Sequence, residues 1–292
     1  MKVRIWIALI AVYITWGSTY LAIRFAVESL PPFLMAATRN LIAGLALYTW
    51  RRLSGDKPPT RLEWRATAIV GLLLLLGGNG LVSWAEQRVP SGITALLIGS
   101  IPLWFVALDA LRPGGTRPGW KTMLGVLIGL AGIILLIGPD ELAGNGHGTD
   151  LLGAAALLFA ALLWATGSLY GRGARLPASP LLSTSMEMLT GGLSLLCVGT
   201  LTGEWGRLDL GAANPRAWLG LVCLIIFGSL IAYSAYTWLL KNAPTPLVAT
   251  YAYVNPLVAI FLGNWLAQEP LTPRILVSAL IIIGAVILIN RR

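Results

Sequence analysis

The 292 residues are 57% hydrophobic and only 11% charged. A soluble domain carries about 25% charged residues, so this composition excludes an ordinary water-facing surface. The formal net charge of +9 would suit an anionic partner. However, the basic residues gather in short segments between apolar stretches, with no basic run interleaved with aromatics, which excludes nucleic-acid binding.

Met1-Lys2-Val3-Arg4 opens an apolar run that continues past Tyr20 to about Val27. It has no small-x-small cleavage site behind a short core, so it reads as a retained first span rather than a signal peptide. About 20 apolar residues cross a hydrocarbon core about 30 Å thick. This rule predicts spans near 5–27, 32–50, 66–85, 91–111, 119–138, 149–170, 181–202, 217–239, 246–266 and 273–290. The expected fold is all-α and integral to the membrane, with ten transmembrane helices. Cys197 and Cys223 lie inside apolar stretches, where cysteine packs as a small hydrophobe.

With the N-terminus on the cytoplasmic side, fifteen Lys and Arg residues fall in inner segments and five at outer ends or loops, while Arg39 lies within span two. The bias of basic residues to the inside places both termini in the cytoplasm. The outer loop from Pro139 to Asp150 holds the single histidine, His147, and no Lys or Arg. Most tryptophans fall at predicted span ends, where such rings favour the headgroup layer. Trp16, Trp104 and Trp164 fall near span centres instead.

Gly-Ser-x-Tyr recurs at Gly17–Tyr20 and Gly167–Tyr170, and Pro90 and Pro102 match Pro244 and Pro256 in the same order. The chain therefore divides into repeats over 1–146 and 147–292. Because each holds five spans, the second must enter the membrane inverted. Inverted repeats place a substrate site where the halves meet.

Within the spans, Pro102 and Pro256 each remove a main-chain donor and free a carbonyl, those of Ile98 and Ala252. They read either as hinges lining a cavity or as static kinks. Polar stripes at helical spacing (Asn79, Ser83 and Glu86; Ser229, Tyr233 and Tyr236; Ser183, Glu187, Thr190 and Ser194) face either a shared cavity or neighbouring helices. Arg39 and Glu187 are the deepest ionisable residues and each needs a partner or water. They serve either substrate charge recognition or coupling, or else a structural pairing. Trp16, Trp104 and Trp164 with Tyr20, Tyr233, Tyr251 and Tyr253 make an aromatic centre able to hold aromatic and ammonium groups, or simply packed rings. The glycines Gly125, Gly129 and Gly132, and Gly167 with Gly171, permit close helix contact within a monomer or in a weak homodimer. No phosphate loop ending in Gly-Lys-Ser/Thr is present, and the chain lacks the constellation of an enzyme.

Thr15–Tyr20, Asn79-Gly80, Val89–Gly92, Trp164–Ser168, Tyr251–Pro256 and Glu269–Leu271 together resemble the drug/metabolite transporter superfamily, in its ten-span EamA-type exporter branch. The likeness is greatest to the YedA and YddG types. The resemblance implies two inverted five-helix repeats around a central cavity and export of metabolites across the inner membrane; YddG-type members export aromatic and other amino acids. The expected function is secondary, alternating-access export of amino acids, aromatic and other neutral ones, or alternatively of drugs or other amphipathic metabolites. The candidate substrate-binding residues are Trp16, Tyr20, Asn79, Ser83, Trp164, Ser168, Tyr233 and Tyr253. Arg39 and Glu187 are candidates for charge recognition or coupling, and Pro102 and Pro256 for hinges. The partners are membrane lipids and a small-molecule substrate, with no cofactor.

Overall fold

The computed structural model describes residues 2–111, 118–138, 150–243, 245–248 and 250–290. The loop histidine His147, Arg112, Arg117, Pro244 and the two terminal arginines lie outside the described residues. Among those described, every regular element is helical. In chain order they are α1 (Lys2–Val27), α2 (Pro32–Leu53), α3 (Arg61–Gly71), a π-helical stretch π1 (Leu72–Gly80), α4 (Leu81–Ala85), α5 (Ser91–Ile98), α6 (Ile101–Leu111), α7 (Trp120–Ile137), α8 (Leu151–Gly173) and α9 (Pro180–Leu201). After a short 3₁₀ turn (Glu204–Arg207) come α10 (Pro215–Cys223), a second π-helical stretch π2 (Leu224–Tyr233), α11 (Ser234–Asn242), α12 (Thr245–Val248), α13 (Tyr251–Ala267) and α14 (Pro273–Asn290).

Among the described residues, seven helical segments are long and apolar enough to cross a membrane: Val3–Val27, Arg61–Ala85, Ser91–Leu111, Trp120–Ile137, Leu151–Gly173, Pro180–Leu201 and Pro215–Tyr236. Val254–Ala267 and Pro273–Ile289 are apolar but shorter. α2 stays outside this set because Arg39 and Asn40, both buried, lower its hydropathy. The exterior is apolar along whole helix faces, as at Ile7, Ile10 and Ile14 on α1 and Leu127, Leu130 and Ile134 on α7.

Helix starts follow from local capping. The third rod begins at Arg61, five residues ahead of its apolar run. There Thr60 Oγ1 accepts the Glu63 N–H at 3.3 Å while the Glu63 carboxylate accepts the Thr60 N–H at 2.6 Å. Asp150 accepts the Gly153 N–H at 2.5 Å to start α8. The start of α2 is capped from a distance. Glu204, 1% exposed, accepts the N–H groups of Phe33 (3.3 Å) and Leu34 (2.8 Å), placing a negative charge at the positive end of the helix. Between α2 and α3, Arg51 donates to both carboxylate oxygens of Asp56 at 2.9 and 2.7 Å. That contact, then one from Ser179, holds the Asp56 carboxyl below its ordinary range.

The expected single span over 91–111 is two helices, α5 and α6, parted at Gly99–Ser100. Pro102 therefore stands in the first turn of α6, where a proline displaces no helical donor, rather than in mid-helix. Pro256 does lie inside a helix, α13, and a short α12 precedes it. The two interruptions approach each other: a Cβ placed on Gly99 would stand 3.6 Å from Pro256 Cγ.

Packing follows a pattern of exchange. α2 lies along α9, and α7 along α14. α1 packs on α13 and on the α10–π2–α11 rod, while α8 packs on α5 and α6 and on the α3–π1–α4 rod. Replacing each first-half rod by its counterpart in the second half returns these same pairs. Close approach is bought with small residues. On α2, a Cβ at Gly44 would stand 2.9 Å from Met188 Cβ. On α7, Gly125 and Gly132 face Ile289 and Ile281 of α14, so that glycine face is spent within the chain.

Candidate substrate cavity

A cavity with an empty volume of about 750 Å³ lies among these rods, bounded by residues from both halves of the chain. Both π-helical stretches border it, π1 through Leu75, Gly78 and Asn79, and π2 through Gly228, Ser229 and Tyr233. π-helical turns are rare and concentrate at functional sites. In π2 the Gly228 carbonyl accepts the Trp16 indole N–H at 3.2 Å. A Cβ there would stand 2.9 Å from Thr19 Cγ2 and 3.2 Å from Arg39 Nη2, so this wall must be bare backbone.

Arg39 is the charged residue among the described residues of the lining. It is 7% exposed, and its Nε donates to Ser229 Oγ at 2.8 Å. Its terminal amino groups have no hydrogen-bond partner or carboxylate among the described residues. Near it lies an aromatic cluster. The Trp16 ring is 6.0 Å from Tyr233, 4.9 Å from Tyr236 and 5.3 Å from Tyr251 between centroids. Trp164, Tyr20 and Asn79 complete the lining from α8, α1 and π1.

Of the residues singled out in the sequence, Trp16, Tyr20, Asn79, Trp164, Tyr233 and Arg39 meet here. Others do not line the cavity. Ser83 is buried away from it, and Ser168 donates to the Trp164 carbonyl at 2.7 Å within its own helix. Glu187 stands one side chain back, accepting from Ser183 at 2.9 Å and from the Tyr233 hydroxyl at 3.2 Å. Pro102 and Pro256 lie in neighbouring walls. Tyr253 sits in α13, its side chain outside the described residues. Trp104 is also outside the lining, its indole N–H buried without a partner among the described residues. Sequence reasoning missed Thr19, Asn40 and Asn255, which do line the cavity. Asn40 adjoins Arg39 and Asn255 precedes Pro256, so neighbours of residues already chosen were the available signal.

Past Tyr20, Ile23 and Val82 the cavity ends in the largest apolar cluster, which includes Ala26, Val27, Ala85, Val89 and Ile93. Glu86, 0% exposed, adjoins Ala85.

The sequence profile of the EamA-like transporter family matches twice, over residues 4–138 and 151–291. The chain is 40% identical to an uncharacterized inner membrane transporter of Escherichia coli, YedA, over 97% of this chain and 89% of that protein. It is 27% identical to a chloroplastic WAT1-related protein of Arabidopsis thaliana, over 98% of this chain and 69% of that one. A crystal structure with 21% sequence identity superposes over 98% of both chains at a TM-score of 0.67, which shows a shared fold.

Proposed function

Because this chain belongs to the EamA-like transporter family, and is a transporter rather than an enzyme, we propose that it exports amino acids across the inner membrane as a secondary transporter. The substrates are aromatic and other neutral amino acids. The halves 1–146 and 147–292 insert oppositely, five crossings each, and alternate access to the cavity between them. The twofold family match, the exchangeable packing pairs and the paired π-helical stretches support that architecture. The excess of basic residues in the expected inner segments supports cytoplasmic termini. The likeness to YedA, an inner membrane transporter, supports the inner membrane.

The observation that carries the substrate class is the pairing of Arg39 with the rings. A guanidinium with free donors, in a lining that brings no carboxylate among the described residues, suits a substrate carboxylate. Trp16, Tyr233 and Tyr251 beside it suit an ammonium group or an aromatic side chain. A cationic group and π-rich rings thus stand side by side in the lining, which suits the carboxylate and ammonium groups of a zwitterion. A second reading, export of amphipathic metabolites or drugs, draws on the apolar lining of Leu75, Val82, Ile98 and Met188.

Counterflow in proteoliposomes tests the choice. Vesicles preloaded with unlabelled tryptophan should accumulate labelled tryptophan and threonine without ATP, with weak competition from cationic drugs. Drug flux without amino acid flux would establish the second reading; movement of neither class would refute both.

A further inference from the structure

The substrate cavity leaves one buried acid without a task. Glu86 follows the last residue of the rod Arg61–Ala85, and its N–H donates to the carbonyl of Val82, a cavity-lining residue, at 3.0 Å. Its side chain is fully enclosed, and neither carboxyl oxygen has a hydrogen-bond partner among the described residues. An ionised carboxylate without donors is costly to bury, so this enclosure favours the neutral acid. Glu187 differs, because two hydroxyls donate to it.

The surroundings of Glu86 provide for its charge to change. From α1, Arg24 Nη1 donates to the main-chain carbonyl of Glu86 at 2.5 Å, and Tyr20 packs against the apolar cluster that holds Ala85. From the turn before α14 comes Glu269, whose carboxylate accepts the N–H groups of Ser91 and Gly92 at 2.7 and 3.0 Å. Arg24 and Glu269 are the charged groups that act on Glu86; α2 and α8 bring none that do so among the described residues. Arg88, in the same turn, is drawn to Asp150 at 3.5 Å.

We infer that Glu86 is the proton-binding site of a gate at this end of the cavity, carrying a proton while the end is shut and releasing it when the end opens. This inference rests on the transporter reading above and adds the coupling ion to it. When the helices carrying Ile23, Val82 and Ala85 separate, water reaches the carboxyl. The O–H bond breaks, its electron pair stays on the carboxylate and the proton passes to water on that side. The carboxylate is then received by Arg24, which is already held at its main chain. Closure requires a proton to return, since the bare carboxylate cannot re-enter the apolar cluster unpaired. Tyr20 lines the cavity and packs against the apolar cluster that holds Val82 and Ala85, so substrate occupancy and protonation are linked, each shifting the other equally.

The test uses the full-length protein in liposomes. Infrared spectra of wild type near neutral pH should show the C=O stretch of a protonated carboxylic acid that Glu86→Gln removes; spectra without that difference overturn the proposal. A pH gradient should accelerate wild-type transport, and Glu86→Gln should lose that acceleration while keeping counterflow at equal pH. An undiminished response to the gradient in Glu86→Gln overturns it too. Should Glu86→Gln fail to fold, Arg24→Gln should move the titration of the carboxylic acid band to higher pH, and an unmoved titration overturns the pairing. A protein that shows the band but moves no amino acid refutes the substrate reading and leaves the proton site standing. One that moves amino acids with no gradient effect refutes the proton site alone.

Discussion

Replacing Arg39 by glutamine, R39Q, tests the substrate reading most directly. The guanidinium commits Nε to Ser229 at 2.8 Å, which leaves its terminal amino groups to receive a carboxylate. A hydrogen bond to a charged group contributes about 1.5–3 kcal/mol, which corresponds to about 10- to 150-fold in affinity. Two effects set where in that range the loss falls. Water in a cavity of about 750 Å³ screens the pair, whereas enclosure strengthens it. At 7% exposure of Arg39 enclosure dominates, so the loss should reach at least about 30-fold, or about 2 kcal/mol. The assay is a thermodynamic cycle: binding of an amino acid and of its methyl ester to wild type and R39Q, read by tryptophan fluorescence in detergent. The ester lacks the anion and should bind both proteins alike. Equal losses for acid and ester would mean that Arg39 shapes the cavity without recognising charge, and no loss for the acid would remove it from the site.

Glu204→Ala should lower the melting temperature by the loss of a helix cap, about 0.5–2 kcal/mol, because Glu204 holds the first N–H groups of α2; an unchanged melting curve contradicts the cap. Gly71→Val should destabilise by about 1–3 kcal/mol through overpacking, since a Cβ there meets Thr190 Oγ1 at 2.5 Å and the Glu187 carbonyl oxygen at 2.6 Å. Gly173→Ala, with nothing within 4 Å, serves as the control, and equal melting of the two variants would refute the contact. Asp56 has its folded pKa depressed, first by Arg51, so its stabilisation is present above the unfolded value of about 3.9 and is lost as pH falls through the folded value. Wild type should therefore exceed Asp56→Asn by less than about 1 kcal/mol at neutral pH, with the difference vanishing in acid. A difference that grows on acidification would reverse the sign.

The helices were legible because hydropathy alone locates stretches that suit lipid, and the boundaries of α1, α7 and α14 fall close to where composition puts them. The start of α3 was less so, since the capping pair Thr60–Glu63 carries the helix five residues beyond its apolar run. Arg39, Trp16 and Asn79 could be singled out because a polar or amphipathic side chain in mid-span is costly and so conspicuous. Ser83, taken from a polar stripe, and Ser168, taken from the repeated Gly-Ser-x-Tyr piece, do not line the cavity; a hydroxyl can also satisfy itself within its own helix, as Ser168 does. Glu86 stood in a polar stripe at the right spacing, but a pattern of residues does not reveal whether an acid has donors. The π-helical stretches were invisible for another reason: apolar Leu72–Leu76 and Leu224–Ile226 look the same to a 3.6-residue rule whichever hydrogen bonds they make.

Those two stretches set a limit on how the rods can move. Each holds surplus residues against the count that an α-helical path would need. Drawing one residue out of Leu72–Gly80 into ordinary winding would turn everything beyond it by about 100° and advance it about 1.5 Å. The same slack exists in Leu224–Tyr233. A screw-like slip of two facing staves could thus re-aim Asn79 and Ser229 without parting any helix from its neighbour, and a single-residue deletion in either stretch would use up that slack and leave its stave stuck in one register.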